Sequence, residues 1–431
     1  MSSTPTSLTT AATADLQPAL SPQSWPFSLT FLPPQAYLVG GSVRDALLHR
    51  QADYLDLDFV LPEKAIETAE HIAQAYGAGF VVLNSDHEIA RVVFPNATVD
   101  FAQQLGSNIT IDLQRRDFTI NAIAYSPHSE TLVDPLNGWA DLQRHTLCMV
   151  SEENLREDPL RLLRAYRQAA QLGFKLDPAT QAAIRRLAPH LKAVAAERVR
   201  SELDCLLSLP EGSPLLAMAW QDGLLETWLP TVTPANLEKL AILDQLAAQV
   251  DQCRPDYGSL LRSWVKEPTA PGLHRSWLKL TKLSQLLDGP LAIAETTLAG
   301  LKYSRLEQQG VLAMVKGWHY LREQTPPLSP AQRYGLFKLA GAGFVGIPLL
   351  AWAANLPETM IEILLSHYLN PEDTIAHPQT LISGRDLIQD LGLKPGPEIG
   401  HLLEAVQLAQ VEGQLTNRAE ALAWIQGQTA H

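Results

Sequence analysis

The sequence predicts an α+β protein: a head of mixed strands and helices, followed by an all-helical neck, body and tail. Three observations predict it. Between Ala36 and Tyr125 short apolar runs alternate with turn residues, the mark of strands and short helices around one core. After Asp134 the strand pattern gives way to helical periodicity. The chain is also large, with 431 residues, 46% hydrophobic and 18% charged, which provides core for roughly two to four domains. The expected divisions are a disordered leader over 1–33, a head over 34–145, a neck over 146–210, a body over 211–380 and a tail over 381–431.

The leader is rich in Ser, Thr, Ala and Pro, a composition that favours disorder, although Trp25, Phe27 and Phe31 could pack on the head. In the head, Tyr37–Val39, Asp56–Leu61, Phe80–Leu83, Ile89–Phe94 and Thr98–Ala102 read as strands. Ser42–Leu48 and Glu63–Tyr76 read as helices, the second with Pro62 at its start. Helices are expected over Leu155–Gly173, Pro178–Ala188 and Ala193–Ser208, with Gly173 capping the first. The body gives only generic leucine- and alanine-rich helices. Three short helices, Ser383–Leu391, Pro397–Gly413 and Asn417–Ile425, form the tail, the last opened by an Asn417/Glu420 capping pair.

Composition narrows the function classes. Three scattered cysteines, Cys148, Cys205 and Cys253, make neither a disulfide framework nor a cysteine zinc site, so a reducing, cytoplasmic setting is expected. The uncharged stretch Leu339 to Ala354 is short for a bilayer and broken by Gly341, Gly343, Gly346 and Pro348, so it reads as buried core and no membrane association is expected. No Lys or Arg precedes Arg44, which argues against a secretory or transit peptide. The net charge of −13 argues against a general nucleic-acid binder. From Leu155 to Arg200, however, the balance is +6, a basic island suited to an RNA backbone and expected to make salt-sensitive contacts. From Glu211 to His431 it is −6.

Three motifs carry chemistry. Leu38 to Asp45 runs strand, Gly40-Gly41, helix start, a turn whose backbone can approach phosphate, with Arg44 adding a planar cation. Read alone, it is only a turn. Asp56-Leu57-Asp58 changes its weight, because residues two apart on a strand share a face. Two such carboxylates repel unless a cation lies between them, and hard oxygen ligands suit Mg²⁺. Asp100, on another strand, could complete a cluster of three. The third motif, Glu157 to Arg164, places Asp158 and Arg161 three apart on one helix face. That pair is either a surface ion pair or a reader of nucleobases. A carboxylate accepts from the exocyclic amine of C or A, and a guanidinium donates to a ring nitrogen or carbonyl, which would admit CTP and ATP and reject GTP and UTP.

Leu38–Asp45, Asp56–Asp58, Arg115–Ala122, Asp134–Leu142, Glu157–Arg164 and Glu197–Arg200 together resemble, in order and rough spacing, the bacterial (class II) tRNA nucleotidyltransferases and poly(A) polymerases. Ser383–Leu387 and Gly392–Pro397 are similar to that family's tRNA-holding tail, whereas 211–380 shows no such likeness. The resemblance implies a polymerase β-type nucleotidyltransferase head and template-independent addition of nucleotides to tRNA 3′ ends. Asp56 and Asp58 would bind two Mg²⁺ ions, and Asp100 is added as a catalytic candidate from the strand pattern, not from the resemblance. Gly40, Gly41 and Arg44 would hold the triphosphate, with Arg116 and Asn121 near phosphates and ribose. Asp158 and Arg161 would template the base, and Arg164 would orient them. Arg198, Arg200 and Lys394 would touch RNA, the partner being the acceptor end and elbow of tRNA.

Two departures refine this expectation. None of the twelve histidines is followed by Asp, so the phosphohydrolase domain of many members is not expected. Only fourteen residues, Phe101 to Gln114, separate Asp100 from Arg115, an interval that is longer in members building the whole CCA end and shortened in CC-adding ones. A CC-adding enzyme using CTP is therefore expected, with a separate A-adding enzyme acting after it. The alternatives are a full CCA-adding enzyme using CTP and ATP, a poly(A) polymerase, and an inactive RNA-binding or nucleotide-sensing relative.

Overall fold

The computed structural model describes residues 7–8, 20–50, 54–263 and 275–429, and the side chains of 20–50, 54–263 and 275–428. The chain divides into two compact units, Met1–Val194 with Met218–Leu224, and Ala195–Ala217 with Leu225–His431.

The first unit contains β1 (Ser7–Leu8), β2 (Tyr37–Val39), α1 (Gly41–Leu47), β3 (Leu55–Leu61), α2 (Ala65–Tyr76), β4 (Gly79–Asn84), β5 (Ile89–Phe94), β6 (Ala97–Gln103), α3 (Ile109–Leu113), β7 (Ala124–Ser126), β8 (Thr131–Val133) and α4 (Gly138–Gln143). It continues through β9 (Thr146–Leu147), α5 (Glu152–Glu157), α6 (Leu160–Leu172), β10 (Lys175–Leu176) and α7 (Pro178–Leu187). Eight strands form one mixed sheet in the order β1-β8-β7-β2-β3-β6-β5-β4. Within it β3 and β6 run parallel and the other neighbours antiparallel. The five strands expected in the head are all present, to within a residue at either end.

The pleat of β3 explains the site. Leu57 and Phe59 are buried on one face, where Phe59 stacks on Phe101 with ring centroids 5.6 Å apart. Asp56 and Asp58 consequently turn to the other face, together with Val60, which joins Val39, Ile109, Leu113, Ala122 and Ala124 in an apolar floor.

Two expectations are corrected here. Residues 20–33 of the supposed disordered leader are folded: Leu20, Trp25, Phe27 and Leu32 are buried, and Trp25 meets Phe59 edge-on at 5.0 Å. The aromatic side chains bury enough surface to offset ordering a polar, Pro-rich segment. Positions 1–6 and 9–19 lie outside the described residues. The helix expected over Leu155–Gly173 is two helices, α5 and α6, interrupted at Asp158–Pro159. A residue preceding proline is pushed out of the α region, and Asp158 has extended φ −128° and ψ 92°.

The second unit is helical: α8 (Ala196–Ser208), then, beyond α9 (Gly212–Gln221), which the division between the units cuts, α10 (Pro234–Cys253), α11 (Pro255–Arg262), α12 (Trp277–Leu286), α13 (Leu291–Gly300), α14 (Arg305–Arg322), α15 (Pro330–Ala340), α16 (Ile347–Ala353), α17 (Glu358–Leu369), α18 (Gly384–Leu391), α19 (Pro397–Val411) and α20 (Arg418–Thr429). Lys279 on α12 is fully buried and bridges Asp204 at 3.2 Å and Glu307 at 3.1 Å, with the Tyr303 hydroxyl donating to Asp204 at 2.8 Å. A buried ammonium tolerates the interior only with such partners. Pro330–Ala353 is long and apolar enough by composition to cross a membrane, yet 72% of its most apolar window is buried inside the protein, as core. In the tail, α18 to α20 close on Leu387, Val406, Ala421 and Ile425. Ser383 caps α18 reciprocally with Asp386.

Candidate active site

The antiparallel register pairs Val39 with Asp58, so Gly40 leaves β2 beside the carboxylate. Gly40 has φ +77°, and a Cβ there would stand 3.2 Å from Asp58 Oδ2 and 3.4 Å from Arg116 Nη1. Glycine is needed for both the turn and the approach. A cavity of about 560 Å³ opens over these groups, lined among others by Gly41, Arg44, Asp56, Asp58, Arg116 and Asn121. Arg164, Arg167 and Gln168 close it from α6.

Electrostatics mark Asp58. Burial, then the neighbouring Asp56 and Asp100 charges, push its carboxyl up to about 6, while Arg116 and Arg164 act the other way. Asp56 is more exposed and accepts from the Thr98 hydroxyl at 2.7 Å. Thr98 is a residue that sequence reasoning missed; it stands opposite Asp56 on β6, a pairing of distinct strands that leaves no local signal in the sequence. Asp100 does lie opposite Asp58, but Arg91 takes both of its oxygens, at 2.6 and 2.8 Å. Among the described residues, no three His, Cys, Asp or Glu side chains are grouped to hold a metal ion. Asp100 is thus satisfied by its cross-strand arginine while its charge still acts on Asp58.

A polar chain, partly buried, runs along the wall of the cavity. Arg44 donates to both oxygens of Asp45 at 2.9 Å and to Asn121 Oδ1 at 2.8 Å. Asn121 Nδ2 donates to Asp117 Oδ1 and to Gln168 Oε1, each at 2.9 Å. Arg164 Nε reaches Asp117 Oδ2 at 3.1 Å. Arg116 is tied to Asp112 at 3.4 Å, and its buried Nε has no hydrogen-bond partner. A buried donor without a partner is costly, and it suits a group that accepts an anion.

Asp158 and Arg161 line a second cavity of about 480 Å³, which shares Arg116, Asp117 and Arg164 with the first. Their relation is not the helix spacing expected, since Asp158 stands before α6. Arg161 Nη1 donates instead to the carbonyls of Arg115 and Asn154, both at 3.0 Å. Asn154 Nδ2 in turn holds the carbonyls of Gln114 and Arg116 at 2.8 and 2.7 Å. The guanidinium is thus fixed by backbone, and Asn154, like Gln168, escaped the sequence reading because these partners are 38 or more residues away.

The basic island is largely paired within the protein. Arg156 meets Glu152 and Glu153, Arg185 meets Asp222, and Arg186 meets Glu152. Arg200 donates to the Lys302 carbonyl and lies over the Tyr303 ring. Lys394 is exposed, before α19. Between β6 and α3 only five residues form the loop, and Leu105 donates to Asp112 of α3 at 3.0 Å.

Comparison with known proteins fits this geometry. Residues 36–148 match the poly A polymerase head domain family, 173–236 the family described as the probable RNA and SrmB-binding site of polymerase A, and 273–425 the family described as tRNA nucleotidyltransferase domain 2. The last covers much of the body, where the motifs gave no likeness. The chain is 47% identical to a CC-adding tRNA nucleotidyltransferase of Synechocystis sp., covering 94% of this chain and 96% of that one. It is 34% identical to a CC-adding enzyme of Geobacter sulfurreducens (90% and 91% covered) and 32% identical to an A-adding one of Deinococcus radiodurans (91% and 95%). A solved CCA-adding enzyme in complex with CTP shares the fold, with a TM-score of 0.69 at 21% identity over 92% of this chain and 91% of that one.

Proposed function

The chain belongs to the tRNA nucleotidyltransferase and poly(A) polymerase family, and from that premise we propose that it adds CC to immature tRNA 3′ ends from CTP, without a template and with release of pyrophosphate. The observation that carries the CC assignment is the short link between β6 and α3, five residues folded back on Asp112, which leaves no long loop beside the second cavity. The CC-adding relatives agree with it in name.

The carboxylate pair suits a hard divalent cation, since Asp58 is held high by burial and by like charge. Asp56 and Asp58 would hold Mg²⁺, which when bound supplies charge neutralisation at the triphosphate and at the attacking hydroxyl. The remaining work is positioning by this chain. Gly40 and Gly41 let the triphosphate approach the backbone, and Arg44 and Arg116 neutralise it. Asn121 keeps Arg44 aimed. Arg161, pinned by two carbonyls, and Asp158 read the cytosine edge, with Arg164 as the wall between the two cavities. The RNA 3′-oxygen bonds to the α-phosphorus, the α–β phosphoanhydride breaks, and the hydroxyl proton leaves to solvent. Arg198, Arg200 and Lys394 are assigned to the RNA backbone, and a separate A-adding enzyme would complete the end.

The test is extension of tRNA transcripts ending at the discriminator base, after one C, and after CC, each with CTP, ATP or both. Extension that stops at CC with both nucleotides present is expected. A finished CCA end, A added only to CC-ending tRNA, or long A tails on unrelated RNA would each replace the proposal.

A further inference from the structure

Gln168 lies outside every motif the sequence analysis singled out, yet it is 2% exposed, lines the cavity above Asp58 and accepts from Asn121 Nδ2 at 2.9 Å. A buried glutamine at a reacting centre calls for a reason, because its amide must be satisfied.

The bonding of Asn121 supplies it. A carboxamide has one carbonyl oxygen and two N–H donors. Here the oxygen accepts from Arg44 Nη1, and the two donors go to Asp117 Oδ1 and Gln168 Oε1. Asn121 therefore has one workable orientation. Flipped, it would set its NH₂ against the Arg44 guanidinium and its oxygen against the Asp117 carboxylate and the Gln168 carbonyl. Arg44 is fixed at its other edge by Asp45, so the face it offers the cavity depends on Asn121.

We infer that Gln168 is a positioning residue for nucleotide binding: its carbonyl locks the Asn121 amide, and Asn121 aims Arg44 at the triphosphate. The inference rests on the assignment of this cavity to the triphosphate. It predicts a loss in CTP affinity rather than in the chemical step, because Gln168 acts on a group that binds the substrate.

The experiment is a double-mutant cycle on CTP affinity, measured by calorimetry, with kcat and KM for C addition to tRNA measured alongside. Gln168→Leu removes the acceptor, and the more pliable Gln168→Met leaves only a weak thioether one, each with a side chain of similar size. Each should raise the KM and the dissociation constant for CTP about tenfold, with kcat within about twofold of wild type. In an Arg44→Lys background, where the planar fork is already lost, the same substitution should change CTP affinity by less than about twofold. Equal losses in both backgrounds would overturn the inference, as would a fall in kcat with KM unchanged. Loss of the fold in both the Leu and Met variants would assign Gln168 to stability and overturn it too. A wild-type protein that binds CTP but adds none to tRNA would refute the proposed function, whereas an active wild type with additive losses would refute only the role of Gln168.

Discussion

Asp58 and Asp100 stand side by side in the parallel pairing of β3 with β6, but only Asp58 faces the cavity unpaired with a cation, because Arg91 grips both oxygens of Asp100. Arg91 thus neutralises Asp100, whose charge still acts on Asp58, beside the carboxylates proposed to hold Mg²⁺. In Arg91→Ala, Asp100 loses its counter-charge, so half-saturation of C addition by Mg²⁺ should fall severalfold. A Mg²⁺ titration of activity checks this, and an unchanged midpoint would show that Asp100 is electrostatically remote.

Asp58 should lower the stability of the metal-free protein at neutral pH. Its folded carboxyl titrates at about 6 against an ordinary 3.8, so between those values the folded state holds a proton that the unfolded chain has released. Stability is therefore lost as pH rises from about 4 through 6. Asp58→Asn should flatten this profile and gain on the order of 2 kcal/mol at pH 7 without metal, while reducing C addition at least a thousandfold. Urea unfolding at several pH values, beside the activity assay, reads both effects.

Asp158→Ala should relax discrimination against UTP, since the acceptor for the cytosine amine is gone. We expect about tenfold loss in the ratio of kcat/KM for CTP over UTP, of the order of one hydrogen bond to a charged group. Parallel kinetics with the two nucleotides test it, and unchanged discrimination would remove Asp158 from base reading.

Trp25→Ala should destabilise the first unit by about 3–5 kcal/mol, as expected for emptying a buried aromatic site. Thermal unfolding of the variant beside wild type reads the loss, and an unchanged midpoint would show that the segment around Trp25 is not anchored to the head.

How much of this was legible in the sequence follows from the range of the interactions. The strands of the head and the Asp56/Asp58 face were legible because a period of two is local to β3. The break at Asp158 was encoded locally, since Pro159 restricts the residue before it, but it was missed because Asp158 and Arg161 were read at helical spacing. Asn121 with Gln168, Asn154 with the Gln114 and Arg116 carbonyls, and Asp100 with Arg91 join distinct elements, and no periodic pattern encodes such pairs. Trp25 and Phe27 were legible as side chains that could pack on the head, but the composition around them led to the expectation of disorder, although hydrophobic burial depends on individual side chains rather than on an average.

The basic island carries one more consequence. An arginine that already holds a carboxylate, as Arg156, Arg185 and Arg186 do, must release it before it can neutralise a phosphate, and so displaces few ions from the RNA when it binds. The logarithm of tRNA affinity should then fall only gently with the logarithm of salt concentration, well short of the slope that a net charge of +6 suggests. Discrimination among RNAs would then rest on short-range contacts, with long-range attraction contributing little.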